Sequence, residues 1–180
     1  MCLLISKPAG AAMPTYNMLK QAYAANPHGC GFATPTKAFK SLNFGEFMHR
    51  LAQVDDSEPC IIHFRLATHG SIKKANCHPF RQGNVWFAHN GILDIEPMGD
   101  KTDSETAFIK YIYPAIRQYG LDADETYDVI DCIIGYSRFA ILDGSELRIY
   151  GDYTQYKGCY YSNMRFLSFR SPIFADCCFN

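Results

Sequence analysis

No run of apolar residues in this 180-residue chain approaches the roughly 18 that a membrane-spanning helix needs. The opening, "MCLLISKPAG", has neither a basic stretch nor a long apolar one, so it does not read as a secretory leader. No block of like charge occurs, and 17 Lys and Arg against 18 Asp and Glu leave a net charge of −1. That balance argues against a nucleic-acid or membrane-surface partner. There is no CxxC pair among the eight cysteines, and Cys177 and Cys178 are adjacent. Without a leader, reduced thiols in the cytoplasm are expected rather than a disulfide scaffold. A zinc site could draw only on Cys77 and His78 with distant partners, so no metal or other cofactor is expected. Repeats, linkers and low-complexity segments are missing too, which predicts one domain over residues 1–180.

What is present is an ample core: 48% of the residues are apolar. "MCLLIS", "CGFAT", "PCIIHFRL" and "NVWFAHN" read as strands, and the period of two puts Ile61, His63 and Arg65 on one face. "TYNMLKQAYAAN" and "FGEFMHRLAQV" read as helices. "TDSETAFIKYIYPAIRQYG" opens with Thr102 and Glu105 in capping-box spacing, should kink at Pro114 and should end at Gly120. "DETYDVIDCII" predicts a further helix. "RFAILDG" and "ELRIYG" predict a hairpin, and "GCYYSN" and "MRFLSF" two more strands. Hairpins and paired helices in this order indicate a layered α+β fold.

Cys2 carries the first chemical signal. Aminopeptidase removal of Met1, which a small second residue permits, leaves a cysteine with a free α-amine whose ordinary pKa is about 7.7–8.0. That amine can take the proton of its own thiol, so one residue supplies nucleophile and base. The plainer alternative is a buried thiol opening a core strand. The segment "RLATHGSIKKANCHPF" carries the second signal. It is too rich in Arg, Thr, His, Lys and Asn for a mere connection.

In order after Met-Cys, the segments "NPHGCGFA", "HFRLATHG", "AHNG" and "TDSE" resemble the class II glutamine amidotransferases, which are N-terminal-nucleophile hydrolases. The likeness runs from Cys2 to about Ser104. Beyond that, only strand-like segments such as "RFAILDG" and "YYSN" are similar. The resemblance implies a four-layer αββα sandwich of two antiparallel sheets. It also implies hydrolysis of the L-glutamine side-chain amide to glutamate and ammonia through a thioester on Cys2.

By the same resemblance, Arg65 would hold the glutamine α-carboxylate, as a planar guanidinium can with two parallel bonds. Thr68, His69 and Gly70 would shape the turn beside the ligand, with no need for His69 as a base. Asn90 and Gly91 would form the oxyanion hole, and Asp103 would bind the α-ammonium group. "SIKKANCHPF" would be a loop covering bound glutamine, locked by His78. Each residue also has a plain structural reading: an ion pair at a strand end for Arg65, a turn for Asn90–Gly91, a helix start for Asp103. Several relatives have Trp after the matched arginine, where this chain has Leu66. The length is that of a glutaminase domain alone, so an ammonia-accepting synthase is expected in trans. Two other functions fit the same residues: hydrolysis of another γ-glutamyl amide, and a silent glutamine-binding or scaffold subunit.

Overall fold

The computed structural model describes residues 2–67 and 71–168. β1 (Leu3–Lys7) is buried throughout. α1 (Tyr16–Ala25) starts at Thr15, whose hydroxyl accepts from the Met18 N–H. β2 (Cys30–Ala33) and β3 (Ala38–Ser41) form a hairpin, followed by α2 (Phe44–Leu51), capped by Asn43 on Glu46 N–H. β4 (Cys60–Phe64), β5 (Phe80–Gln82) and β6 (Val85–Asn90) follow.

α3 (Asp103–Ala107) is capped by Thr102, which accepts from Glu105 N–H at 3.1 Å. Glu105 pairs with Lys101 at 3.0 Å rather than closing the reciprocal half of the box. The expected kink takes the form of a π turn over Phe108–Ile112, directly ahead of α4 (Tyr113–Tyr119). Pro114 then sits in the first turn of α4, just past that π turn. α5 (Asp124–Ile134), the hairpin β7 (Arg138–Asp143) and β8 (Glu146–Tyr150), then β9 (Thr154–Tyr156) and β10 (Cys159–Tyr161) complete the order. The strand expected at "MRFLSF" is instead a 3-10 turn, Arg165–Ser168. Phe166 plugs the core there and stacks on Tyr161, with ring centroids 6.0 Å apart. One anchoring side chain suits a turn better than alternation does.

All described strand pairs are antiparallel, in a six-stranded sheet ordered β3-β2-β4-β1-β10-β9 and a four-stranded sheet ordered β5-β6-β7-β8. α1 and α2 cover the first sheet over Leu3, Ile5, Phe32, Phe47, Ile62 and Phe64. α3, α4 and α5 cover the second over Phe87, Phe108, Ile112, Phe139 and Ile141. Leu4, Ile61, Ala88, Ala140 and Leu142 fill the space between the sheets. This is the four-layer αββα sandwich of two antiparallel sheets that the resemblance implied. Its inner layer turns polar toward one end, where Arg65, His63 and Asn90 are also buried.

Candidate active site

Continuing the β1–β4 register one step past Leu3↔Phe64 sets Cys2 opposite Arg65. Directly opposed residues of an antiparallel pair share a face. Here it is the inner face, with Leu4 and Ile61. Asn90 closes β6 and, by the period of two, shares its inner face with Trp86 and Ala88. Strand ends of both sheets therefore aim Cys2, Arg65 and Asn90 into one polar region.

The half-buried Cys2 thiol donates to Leu66 O at 3.6 Å, and its sulfur accepts Leu66 N–H at 3.3 Å. Only the main chain of residue 66 is used, so Leu in place of Trp leaves these contacts intact. Burial pushes the Cys2 thiol above its ordinary value, opposed chiefly by the Leu66 N–H and, among other charges, by Arg65. The sulfur is thus kept as a thiol at neutral pH and needs a base to become a nucleophile.

Arg65 is 6% exposed and donates from Nη1 to Ser71 O at 3.1 Å; Asn76 Nδ2 donates to the same carbonyl at 3.1 Å. The guanidinium therefore anchors the segment that begins at Ser71. Thr68, His69 and Gly70 lie outside the described residues. Farther along that segment, Cys77 Sγ packs where a Cβ on Gly29 would stand, and the His78 carbonyl where a Cβ on Gly31 would stand. His78 is buried at the base of the loop, with its ring centroid 4.4 Å from that of His63 and 4.5 Å from that of Phe80.

Asn90 is 3% exposed; its Nδ2 donates to Ser162 Oγ at 2.7 Å, and its Oδ1 has no partner among the described residues. Gly91 has φ +152°, and a Cβ there would run into Ser137 Oγ, so only glycine fits this turn. Ser137 Oγ in turn donates to Ile92 O at 3.1 Å. Asp103 sits at the head of α3, half-buried. Its Oδ1 accepts Ser104 N–H at 2.8 Å and its Oδ2 accepts Leu93 N–H at 3.3 Å. Asp103 is thus tied both to its own helix and to the loop leaving Gly91.

His89 joins His63 and His78 in this interior. His89 Nδ1 and Ser104 Oγ are 2.8 Å apart, and Ser104 Oγ also donates to Asp103 Oδ1 at 3.2 Å. The ring centroids of His78 and His89 are 6.3 Å apart. Both ring nitrogens of His63 and His78, and Nε2 of His89, have no partner among the described residues. Burial lowers His63 to about 3, His89 to about 4 and His78 well below its ordinary value, so all three are neutral near pH 7. No group of three His, Cys, Asp or Glu among the described residues is placed to hold a metal ion.

Two residues that sequence reasoning passed over complete the arrangement. Ser162 Oγ accepts both the Asn90 amide and Leu4 N–H, the latter at 2.9 Å. Asn163 Nδ2 donates to the Cys2 carbonyl at 3.0 Å. The segment "YYSN" had been singled out, but with no role for its last two residues. A groove of about 610 Å³ between the end of α5 and the β7–β8 hairpin adjoins this region through Ser137 and through Arg138, the strand partner of Asn90.

A model of the class-II glutamine amidotransferases matches residues 33–139, more than half of the chain, and the chain belongs to that family. Among solved structures, it is similar to glutamine phosphoribosylpyrophosphate amidotransferase from B. subtilis, in complex with ADP and GMP. The identity is 18% and the TM-score 0.58, over 89% of this chain and 41% of that one. It is also similar to a structure described as the allosteric regulatory enzyme of purine biosynthesis, with 16% identity and a TM-score of 0.56 over 89% and 41% of the two chains. The chain thus spans about two fifths of the length of these structures, and at such identities the likeness is one of fold. A search of curated proteins finds no match.

Proposed function

We propose that the chain is a glutaminase of the class II type. It would release ammonia from the side-chain amide of L-glutamine and supply it to a synthase on another chain. One observation carries this reading: Cys2 on one sheet and Asn90 on the other are tied to the same two-residue segment, Ser162–Asn163.

With Met1 removed, the Cys2 α-amine takes the thiol proton, and Sγ attacks the amide carbon of glutamine. The oxygen of the tetrahedral intermediate carries the negative charge and is stabilised by N–H donors of Asn90 and Gly91. The α-ammonium returns its proton to the departing nitrogen, the C–N bond breaks, and ammonia leaves a thioester behind. Water, losing a proton to the same amine, then attacks the thioester. Glutamate departs and the thiol reforms.

Arg65 takes the α-carboxylate and Asp103 the α-ammonium of the substrate, while the residues after Ser71 cover it, with His78 locking their base. The described cysteines are all free thiols, which suits a reducing cytoplasm. Among the described residues no helix is long and apolar enough to cross a membrane.

The test is glutamate release from glutamine by two forms, one trimmed to Cys2 and one proven by intact mass to keep Met1. The trimmed form should turn over and the other should not. Equal activity in both would remove the α-amine as the base. No turnover in either would favour a silent glutamine-binding subunit.

A further inference from the structure

The end of β10 departs from a regular ladder where β1 runs out toward Cys2. The register Ile5↔Tyr161 makes Leu4 and Ser162 the next pair. Ser162 N–H donates to Leu4 O at 2.9 Å, as a ladder requires. The returning bond from Leu4 N–H, however, goes to the Ser162 hydroxyl instead of its carbonyl. One residue on, Asn163 presents its side-chain amide to the Cys2 carbonyl. Asn163 Oδ1 accepts Arg165 N–H at 3.2 Å, so the amide cannot be turned end for end without losing both bonds.

Two side chains therefore take over the edge of β1 at the nucleophile. The same Ser162 oxygen crosses to the other sheet and accepts one of the two Nδ2 hydrogens of Asn90. Ser162 is 6% exposed, so neither of its acceptor bonds has water as a ready substitute.

We propose that Ser162 and Asn163 are positioning residues for the amide hydrolysis. Ser162 fixes the rotation of the Asn90 amide so that its second N–H meets the developing oxyanion, and Asn163 holds the Cys2 main chain that carries the thiol and amine. This rests on the glutaminase reading above. It accounts for why a polar "SN" pair stands at the end of a core strand, with both side chains engaged inside the molecule.

The experiment uses the full chain trimmed to Cys2, with glutamine as substrate and iodoacetamide as a probe of the thiol that needs no oxyanion donor. Ser162→Ala should lower kcat about tenfold or more, approaching the loss of one oxyanion donor, about 10²–10³. Its KM for glutamine and its alkylation rate at Cys2 should stay within about twofold of wild type. Ser162→Thr, which keeps the hydroxyl, should recover most of kcat. Because Ser162 acts through Asn90, Ser162→Ala should cost little further kcat in an Asn90→Ala background.

If Ser162→Ala does not fold, Asn163→Leu serves, since it keeps the branched shape and removes the donor to the Cys2 carbonyl without adding a charge. A fall in kcat at unchanged KM supports the proposal there. Wild-type kcat in whichever of Ser162→Ala and the Asn163 variant folds, or additive losses of Ser162→Ala with Asn90→Ala, overturns it while leaving the glutaminase reading intact. A wild-type chain that is trimmed, folded and silent defeats that reading and this one together.

Discussion

Removing the Cys2 sulfur should abolish glutamate release and spare the fold, because Cys2→Ala takes away one atom at a half-buried strand end. Wild-type turnover in that variant, measured by glutamate release, would end the thioester mechanism. The other site residues separate by which end of glutamine they would touch. Arg65→Lys loses the planar fork and Asp103→Asn loses the charge. Hydrogen bonds to charged groups are worth roughly 1.5–3 kcal/mol, so KM should rise about tenfold or more in each. Asn90→Ala should instead lower kcat about 10²-fold with little change in KM. Steady-state kinetics that reverse this split would return Arg65 and Asp103 to purely structural roles. Cys2, Arg65, Asn90 and Asp103 stand out in the sequence as candidates, since each lies in a short motif whose chemistry differs from that of its neighbours. Ser162 and Asn163 do not, because Ser-Asn after a strand carries the same signal as an ordinary turn. Only the register with β1 gives those side chains something to hold.

The segment from Ser71 to Phe80 is pinned to β2 by close backbone contact, and this supplies a test at the level of elements. A methyl group on Gly31 would lie 2.2 Å from the His78 carbonyl. The obstacle is main chain, so the base of the covering segment must move. Gly31→Ala should therefore raise the KM for glutamine several-fold, because β2 itself can keep its hydrogen bonds to β3 and β4. Unchanged KM with unchanged thermal stability would show that the segment's seating does not matter to binding.

Legibility also follows position at this scale. The central strands β1, β4 and β6 announced themselves as apolar runs because both of their faces are buried. β3, β5 and β9 went unread, and each is the edge of its sheet. Such short strands, with "TQY" exposed throughout, carry little periodic pattern. Pro114 was legible as an irregularity, but the adjustment falls in the preceding π turn. That is the side a proline acts on, since its missing N–H and its ring both bear on the carbonyl four residues earlier, here Lys110.

Burial of three neutral histidines between and beside the sheets makes the whole fold sensitive to acid. Each is held below the ordinary histidine value of 6.5, with His63 near 3 and His89 near 4. Between those limits the unfolded chain binds more protons than the folded one, so stability is full above pH 6.5 and is lost as pH falls toward 4. The slope should be about 1.4 kcal/mol per pH unit for each histidine kept neutral. Urea unfolding at pH 7, 6 and 5 should show it, and His63→Gln should make it shallower. A midpoint independent of pH over that range would mean that the histidines gain protons without disrupting the core.

The order of synthesis sets a further condition on the molecule. β1 leaves the ribosome before its partner β10, and the Asn163 amide that holds the Cys2 carbonyl follows 161 positions after Cys2. The amino terminus is therefore only partly held during most of translation, and an aminopeptidase has its easiest access then. Once β10 docks, the Cys2 carbonyl is held by the Asn163 amide just past the end of that strand. On the glutaminase reading, trimming and assembly would thus compete for the same few residues, and a chain that folds before trimming would be well formed and idle.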